Sequence, residues 1–200
     1  MIEPLAVGFH AAKQGGAQAG QTAVVFGAGC IGLVSMMALK ACGVSRVYVV
    51  DIMEKRLEKA LELGADGVIN GKEVDVLEKT KELTGGEGFD LAIETAGTEI
   101  TTNQAIQVVR KGSTIVLVGY GKTGMMNMMM SLALDKELTF KTVFRYRHIY
   151  PMAIEAVEQG KVNLKGIATH IFDFDDIQTA LDRSVNEKAE IVKAVVKIAK

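Results

Sequence analysis

Three glycines, Gly27, Gly29 and Gly32, stand in a G-x-G-x-x-G pattern directly after the apolar run 22–26 and directly before a helix-forming stretch. At a strand-to-helix turn this spacing can grip a pyrophosphate. The first glycine permits the tight turn, the second lets backbone N–H groups approach the phosphates, and the third lets helix and strand pack closely. The helix that follows offers its partial positive charge and unpaired N–H groups to the same anion. About 20 residues further on, a second apolar run, 46–50, ends on Asp51. A carboxylate there accepts hydrogen bonds from both adenosine ribose hydroxyls and repels a 2′-phosphate. The next residue is Ile52, not the Arg or Ser that a 2′-phosphate would favour. NAD is therefore expected over NADP, against the opposing pull of the nearby cations Lys55 and Arg56. A second role for Asp51, capping the helix that begins near Glu54, is compatible with the first. Cys30 occupies a variable position of the glycine loop. A thiol at a helix N-terminus can be acidified, so a redox role is conceivable beside the simpler one of a small residue that fits the loop.

The elements that must position these residues follow from the hydrophobic pattern. Residues 22–26 predict a strand and 31–42 a helix that is apolar all round, as a helix lying on a sheet would be; Gly43 stops it. Strands at 46–50, 68–69, 90–95 and 113–118 then alternate with helices at 54–63, 73–83 and 99–109. Continuous apolar strands separated by helices mean a parallel sheet covered on both faces, the doubly wound α/β class of Rossmann type. After residue 118 the pattern changes to a Gly- and Met-rich stretch, 119–130, then a short helix and a strand at 137–144. The five methionines among 125–130 read as adaptable packing or subunit contact and not as a copper site. An α+β appendix follows: helix 150–159, strand 167–172, helix 175–184 and strand 191–198.

Bulk properties narrow the partners. A chain that is 48% apolar and 24% charged, with a net charge of -1, is ordinary globular protein without a field that would draw it to nucleic acid or an anionic membrane. Small molecules are the expected partners. Two cysteines, Cys30 and Cys42, do not make a disulfide framework, and Cys42 reads as core; a reducing cytoplasm is expected. The start of the chain lacks the basic and apolar regions of a signal peptide, and no apolar stretch reaches the roughly 18 residues of a spanning helix. His10, His148 and His170 show neither H-x-x-x-H nor H-E-x-x-H spacing, so each reads as structural or solvated, not as a ligand.

Four blocks carry a family resemblance: Glu3-Pro4-Leu5-Ala6-Val7-Gly8, Val25-Phe26-Gly27-Ala28-Gly29-Cys30-Ile31-Gly32, Val116-Leu117-Val118-Gly119, and Val143-Phe144-Arg145-Tyr146 before Pro151. Over essentially its whole length the chain resembles the medium-chain, zinc-containing dehydrogenases, and through the Phe-Arg-Tyr block the sorbitol/xylitol dehydrogenases among them. The resemblance implies that 1–20 is a helix crossing from a GroES-like catalytic domain, 21–145 the NAD-binding Rossmann domain, and 146–200 a segment returning to the catalytic domain. The opening domain, with its zinc-binding Cys, His and Glu, has no counterpart in these residues, and Met1 could be internal to a longer chain.

The same resemblance implies roles by position. Glu3 matches the glutamate beside the zinc and would act on the metal or its water only with the missing domain present. Val7 and Ile31 would back the nicotinamide ring; Thr95, Val118, Gly119, Tyr120, Val143, Phe144 and Arg145 would line its half of the site; Arg56 would lie near the adenosine ribose. Arg145 would also point toward substrate hydroxyls, with a surface salt bridge as its competing reading. The implied reaction moves hydride between a secondary alcohol or polyol and NAD, with zinc polarising the alcohol. The chain by itself is expected to bind cofactor without turnover, and to form a homodimer or larger homo-oligomer through the strand at 137–144. Threonine or butanediol dehydrogenase, and a non-catalytic NAD-binding module, remain open alternatives. A methyltransferase fits less well, because the glycine pattern is complete and 146–200 follows it.

Overall fold

Side chains along a strand point alternately to opposite faces, and the central strands of this chain use both faces. In the computed structural model, which describes residues 1–121 and 123–198, the chain runs α1 (Ile2–Gly15), β1 (Thr22–Phe26), α2 (Cys30–Ala41), β2 (Arg46–Asp51), α3 (Glu54–Glu62), β3 (Gly67–Asn70), α4 (Val76–Thr84), β4 (Phe89–Glu94), α5 (Glu99–Val108), β5 (Val109–Leu117), α6 (Met130–Asp135), β6 (Thr139–Thr142), α7 (Tyr150–Glu158), β7 (His170–Asp173), α8 (Ile177–Asn186) and β8 (Ala194–Lys197). Residue 122 of the expected domain 21–145, and residues 199–200 of the expected segment 146–200, lie outside the described residues.

Six strands form one parallel sheet in the order β3-β2-β1-β4-β5-β6. Ala23 and Val25 of β1 and Val47 and Val49 of β2 enter one core; their neighbours Val24, Phe26, Tyr48 and Val50 enter the other. The first core is completed by Leu5 of α1, Leu33 and Met36 of α2, Ala153 of α7 and Ile167 beyond it. The second is completed by Val76 of α4, Ala105 and Ile106 of α5 and Ala133 of α6. The expected doubly wound α/β sheet is therefore the observed one. Because β1 lies between β2 and β4, the winding reverses at its C-terminal end, the position where sheets of this kind leave a crevice for ligand.

Helix α1 packs against α2 so closely that a Cβ on Gly8 would fall 2.6 Å from the Val34 carbonyl oxygen. The first core thus draws on all three expected segments, 1–20, 21–145 and 146–200. The last of these holds a separate two-stranded parallel sheet, β7-β8.

Several boundaries move for local reasons. The strand expected at 137–144 is only Thr139–Thr142, since Glu137 takes a left-handed φ of 53° in leaving α6. The helix expected from residue 73 starts at Val76, where the Asp75 carboxylate accepts the Glu78 N–H. The strand expected from 113 starts at Val109, ahead of a register shift against β4. In the appendix, 164–167 form a 3-10 turn before β7, and another turn at 174–176 precedes α8. Among the described residues no helix is long and apolar enough to cross a membrane.

Candidate cofactor site

The turn that leaves β1 is built so that only glycine fits at its two ends. Gly27 has φ +96°, a left-handed backbone, and a Cβ on Gly32 would lie 1.7 Å from the Gly27 carbonyl oxygen. The side chain of Thr95, at the end of β4, braces the turn by donating to the carbonyls of Phe26 (2.8 Å) and Gly27 (3.3 Å). Gly29 faces open space, with no heavy atom within 4 Å of where a Cβ would stand. Helix α2 starts there with Gly29 as N-cap, no side-chain cap and no acidic residue in its first turn. Its first N–H groups have no partner within the helix. Side chains cap α4 and α5, from Asp75 and Thr98, while α1, α3, α6, α7 and α8 share the lack of a side-chain cap with α2; what sets α2 apart is that its N-terminus follows the glycine loop and lines a cleft.

This N-terminus opens into a cleft of about 540 Å³ that brings Gly27, Gly29, Cys30, Ile31 and Gly32 together with Asp51, Arg56 and Thr95. Ile52 lines it too, beside Asp51, and Met53, Ala96 and Lys188 join it without having been anticipated. Asp51 is more engaged than its sequence position implies. Its Oδ2 accepts the Ala28 N–H (2.6 Å), and its Oδ1 accepts those of Ile52 (2.7 Å) and Met53 (3.0 Å). An ionised carboxylate has about four acceptor positions, so three are filled within the chain and roughly one remains open to the cleft. Asp51 does not cap α3, whose N-cap is Met53 with no side-chain cap. Arg56 donates from Nε (3.1 Å) and Nη2 (2.6 Å) to the Lys188 carbonyl, and Lys55 pairs with Glu190. The C-terminal segment is thereby tied over the Asp51 end of the cleft.

A second depression, of about 370 Å³, holds Val118, Gly119, Tyr120, Val143 and Phe144, with Leu117 and Thr142. Tyr120 and Phe144 are both exposed and meet edge to face at 6.3 Å. The Arg145 guanidinium lies over the Phe144 ring at 5.0 Å and takes part in none of the salt bridges among the described residues, so the expected competing salt bridge is not formed. Val7 is buried on α1 and Ile31 half-buried on α2, in the same core. Between the two depressions stands Glu94, a buried carboxyl that sequence reasoning missed. Burial pushes its pKa up, opposed by hydrogen bonds from Thr101, Gly97 and Ala96.

Burial also raises the Cys30 thiol, and Glu3 adds to this, while Lys193 and the N-terminal ammonium oppose it. An acidified redox thiol is therefore not what the loop contains. Lys193, like Lys188, comes from the far end of the chain, and no local signal marks either.

The exposed Glu3 lies near enough for its charge to act on the Tyr146–Tyr150 pair, whose hydroxyls are 3.4 Å apart. The Tyr150 hydroxyl is pushed up to about 12, first by its bond to Tyr146, then by burial, the Tyr146 charge and Glu3. His10 has its pKa lowered by burial and by the charges of Arg147 and Lys13. His148 sits in a left-handed turn, and His170 begins β7. Among the described residues no group of three or more His, Cys, Asp or Glu gathers as a metal site. A protein zinc centre takes three or four side-chain ligands, so Glu3 with these neighbours does not fit zinc.

Strand order, glycine loop and acidic strand end together define a Rossmann-type nucleotide-binding domain. The family model for zinc-binding dehydrogenases matches residues 30–159, and the chain belongs to that family. It is 41% identical over 199 residues to an uncharacterized zinc-type alcohol dehydrogenase-like protein, YdjJ, of Escherichia coli K12, covering 100% of this chain and 57% of the relative. It is 35% identical to a sorbitol dehydrogenase of Bacillus subtilis, covering 98% of this chain and 56% of the relative. A solved structure described as a short chain alcohol dehydrogenase from E. coli CFT073, complexed with cofactor NADH, superposes with a TM-score of 0.91 at 27% identity, covering 99% of this chain and 58% of that one. The chain spans little more than half the length of these relatives.

Proposed function

We propose that this chain binds NAD(H) as the cofactor-holding part of a zinc-dependent dehydrogenase acting on a secondary alcohol or polyol. The observation that carries this reading is the uncapped α2 N-terminus opening, together with Asp51, into one cleft at the point where the sheet reverses its winding. The relatives named for sorbitol and for NADH support the substrate class and the cofactor.

Bound NAD would supply the hydride acceptor at the nicotinamide ring. The chain's own residues do the holding. The N–H groups of 30–32 take the pyrophosphate, Asp51 accepts a ribose hydroxyl, and Arg56 stays beside it through its bond to Lys188. Val7 and Ile31 form an apolar wall that excludes water from one face of the ring. Residues 118–120 and 143–145 border the other half, and Arg145, in no salt bridge among the described residues, is the residue that would meet substrate hydroxyls. Glu3 would serve a metal only alongside ligands from a further domain, to which α1 and the segment from 146 onward would connect. Self-association through the edge strand β6 belongs to the same proposal, as does a cytoplasmic setting, which two unpaired cysteines suit.

The test is titration of the chain with NADH, followed by assay of NADH formation from sorbitol, xylitol, threonine and 2,3-butanediol, each with and without added zinc. Saturable binding without turnover is expected, because alkoxide stabilisation by a held metal is absent from this donor set and is a large share of the barrier. Failure to bind NADH would sink the proposal. Zinc-dependent turnover that vanishes in Glu3→Ala would show that this chain assembles a metal centre by itself.

A further inference from the structure

Glu94 closes β4 at 1% exposure, and no cation among the described residues pairs with it. Burying an unpaired carboxyl is costly, and its partners all lie in the turn after β4 and the first turn of α5. Its Oε1 accepts the N–H groups of Ala96 (2.8 Å) and Gly97 (2.9 Å) and the hydroxyl of Thr101 (2.8 Å); Oε2 accepts Gly97 N–H again at 3.2 Å. Its backbone carbonyl reaches the other way, accepting from the N–H groups of Val118 (2.8 Å) and Gly119 (3.0 Å). The carboxyl therefore fixes the turn after β4, while the backbone of the same residue fixes the ledge after β5 against which that turn packs.

The two backbones meet with no room for a side chain. A Cβ on Gly119 would lie 2.2 Å from the Gly97 nitrogen, and one on Gly97 would lie 2.4 Å from the Tyr120 carbonyl oxygen. Ala96 lines the cleft that contains Asp51, while Val118 and Gly119 line the second depression. The sheet order decides which part of a dinucleotide lies where. Asp51 ends β2 on one side of β1, so with pyrophosphate at the loop the second nucleoside must extend over β4 and β5 on the other side.

We infer that Glu94 is a positioning residue for the nicotinamide half of the cofactor, holding the 96–97 turn and the 118–120 ledge at the spacing that seats it. This rests on the NAD(H) reading above. The adenosine half is held by Asp51 and the glycine loop, neither of which is hydrogen-bonded to the Glu94 carboxyl. A merely structural carboxyl would affect both halves alike.

The chain and its Glu94→Ala, Glu94→Gln and Thr101→Val variants are titrated with NADH, following reduced-nicotinamide fluorescence, and with ADP-ribose by calorimetry. In Glu94→Ala, NADH affinity falls at least about tenfold and the fluorescence change is lost, while ADP-ribose affinity stays within about twofold. Glu94→Gln recovers part of the loss, since its amide oxygen still accepts from the turn. Should the alanine variant fail to fold, Thr101→Val, which removes one donor to Oε1, shows the same selective loss in smaller measure. Affinities for both ligands falling together, or neither changing, overturn the inference. Wild-type chain that binds ADP-ribose as tightly as NADH, with no fluorescence change, overturns it while leaving the adenosine half intact. Wild-type chain that binds neither overturns the cofactor reading and the inference with it.

Discussion

Asp51 joins a charge to a scaffold: its carboxylate is bonded both to the glycine loop at Ala28 and to the start of the next turn at Ile52 and Met53. A 2′-phosphate brought to this end of the cleft meets a fixed negative charge, while the nearest guanidinium, Arg56, is held by the Lys188 carbonyl. The chain is expected to bind NADH at least about tenfold more tightly than NADPH. Asp51→Asn should narrow that ratio while keeping an acceptor for the loop. Calorimetry with both cofactors checks this, and equal affinities, or an NADPH preference surviving in Asp51→Ala, would contradict it. That a carboxylate belongs here was legible from the strand end and the glycine spacing. That three of its acceptor positions are already filled was not, because two segments must fold together before Ala28 reaches it.

The two ends of a helix need opposite partners, and the elements here show both solutions. Helix α2 leaves its N-terminal donors open for an anion, whereas α5 has its C-terminal carbonyls satisfied from elsewhere in the chain. The half-buried Lys136 donates from Nζ to the carbonyls of Ile106 (3.0 Å), Gln107 (2.7 Å) and Val109 (2.8 Å). Lys136→Met keeps the stem and removes three charge-assisted bonds, so a loss of about 1–3 kcal/mol is expected in urea unfolding. NADH affinity should not change, since Lys136 lies at the opposite end of the sheet from the glycine loop. An undiminished unfolding midpoint would show that water replaces the ammonium there without cost. Helix periodicity announced α5 but not this cap, which depends on α6 delivering a lysine to it.

At the scale of the whole molecule, one core ties α1, the sheet, α2 and α7 together, and the sheet ends on β6, whose outer edge pairs with no other strand among the described residues. Exposed edges invite pairing with another copy, and β6 is flanked by the apolar Leu138 and carries Phe140 packed inward. A dimer at micromolar concentration is expected by light scattering, with amide-exchange protection of 139–142 that is lost on dilution. A monomer, or a dimer protected elsewhere, would remove β6 from that role.

From sequence alone the doubly wound sheet, the glycine loop between β1 and α2 and the acidic end of β2 can be read, because each rests on local spacing: period 2 or 3.6 in apolar residues, and a fixed turn between strand and helix. Tertiary structure decided what arrives from a distance. Lys188 and Lys193 come to the glycine-loop end of the sheet from the connection between α8 and β8, the Arg56 guanidinium is occupied by a backbone carbonyl, and Glu94 is buried where a strand-ending acid would ordinarily read as solvated. No pattern of neighbours encodes such contacts. They exist only once sheet order has set which strand ends share a crevice.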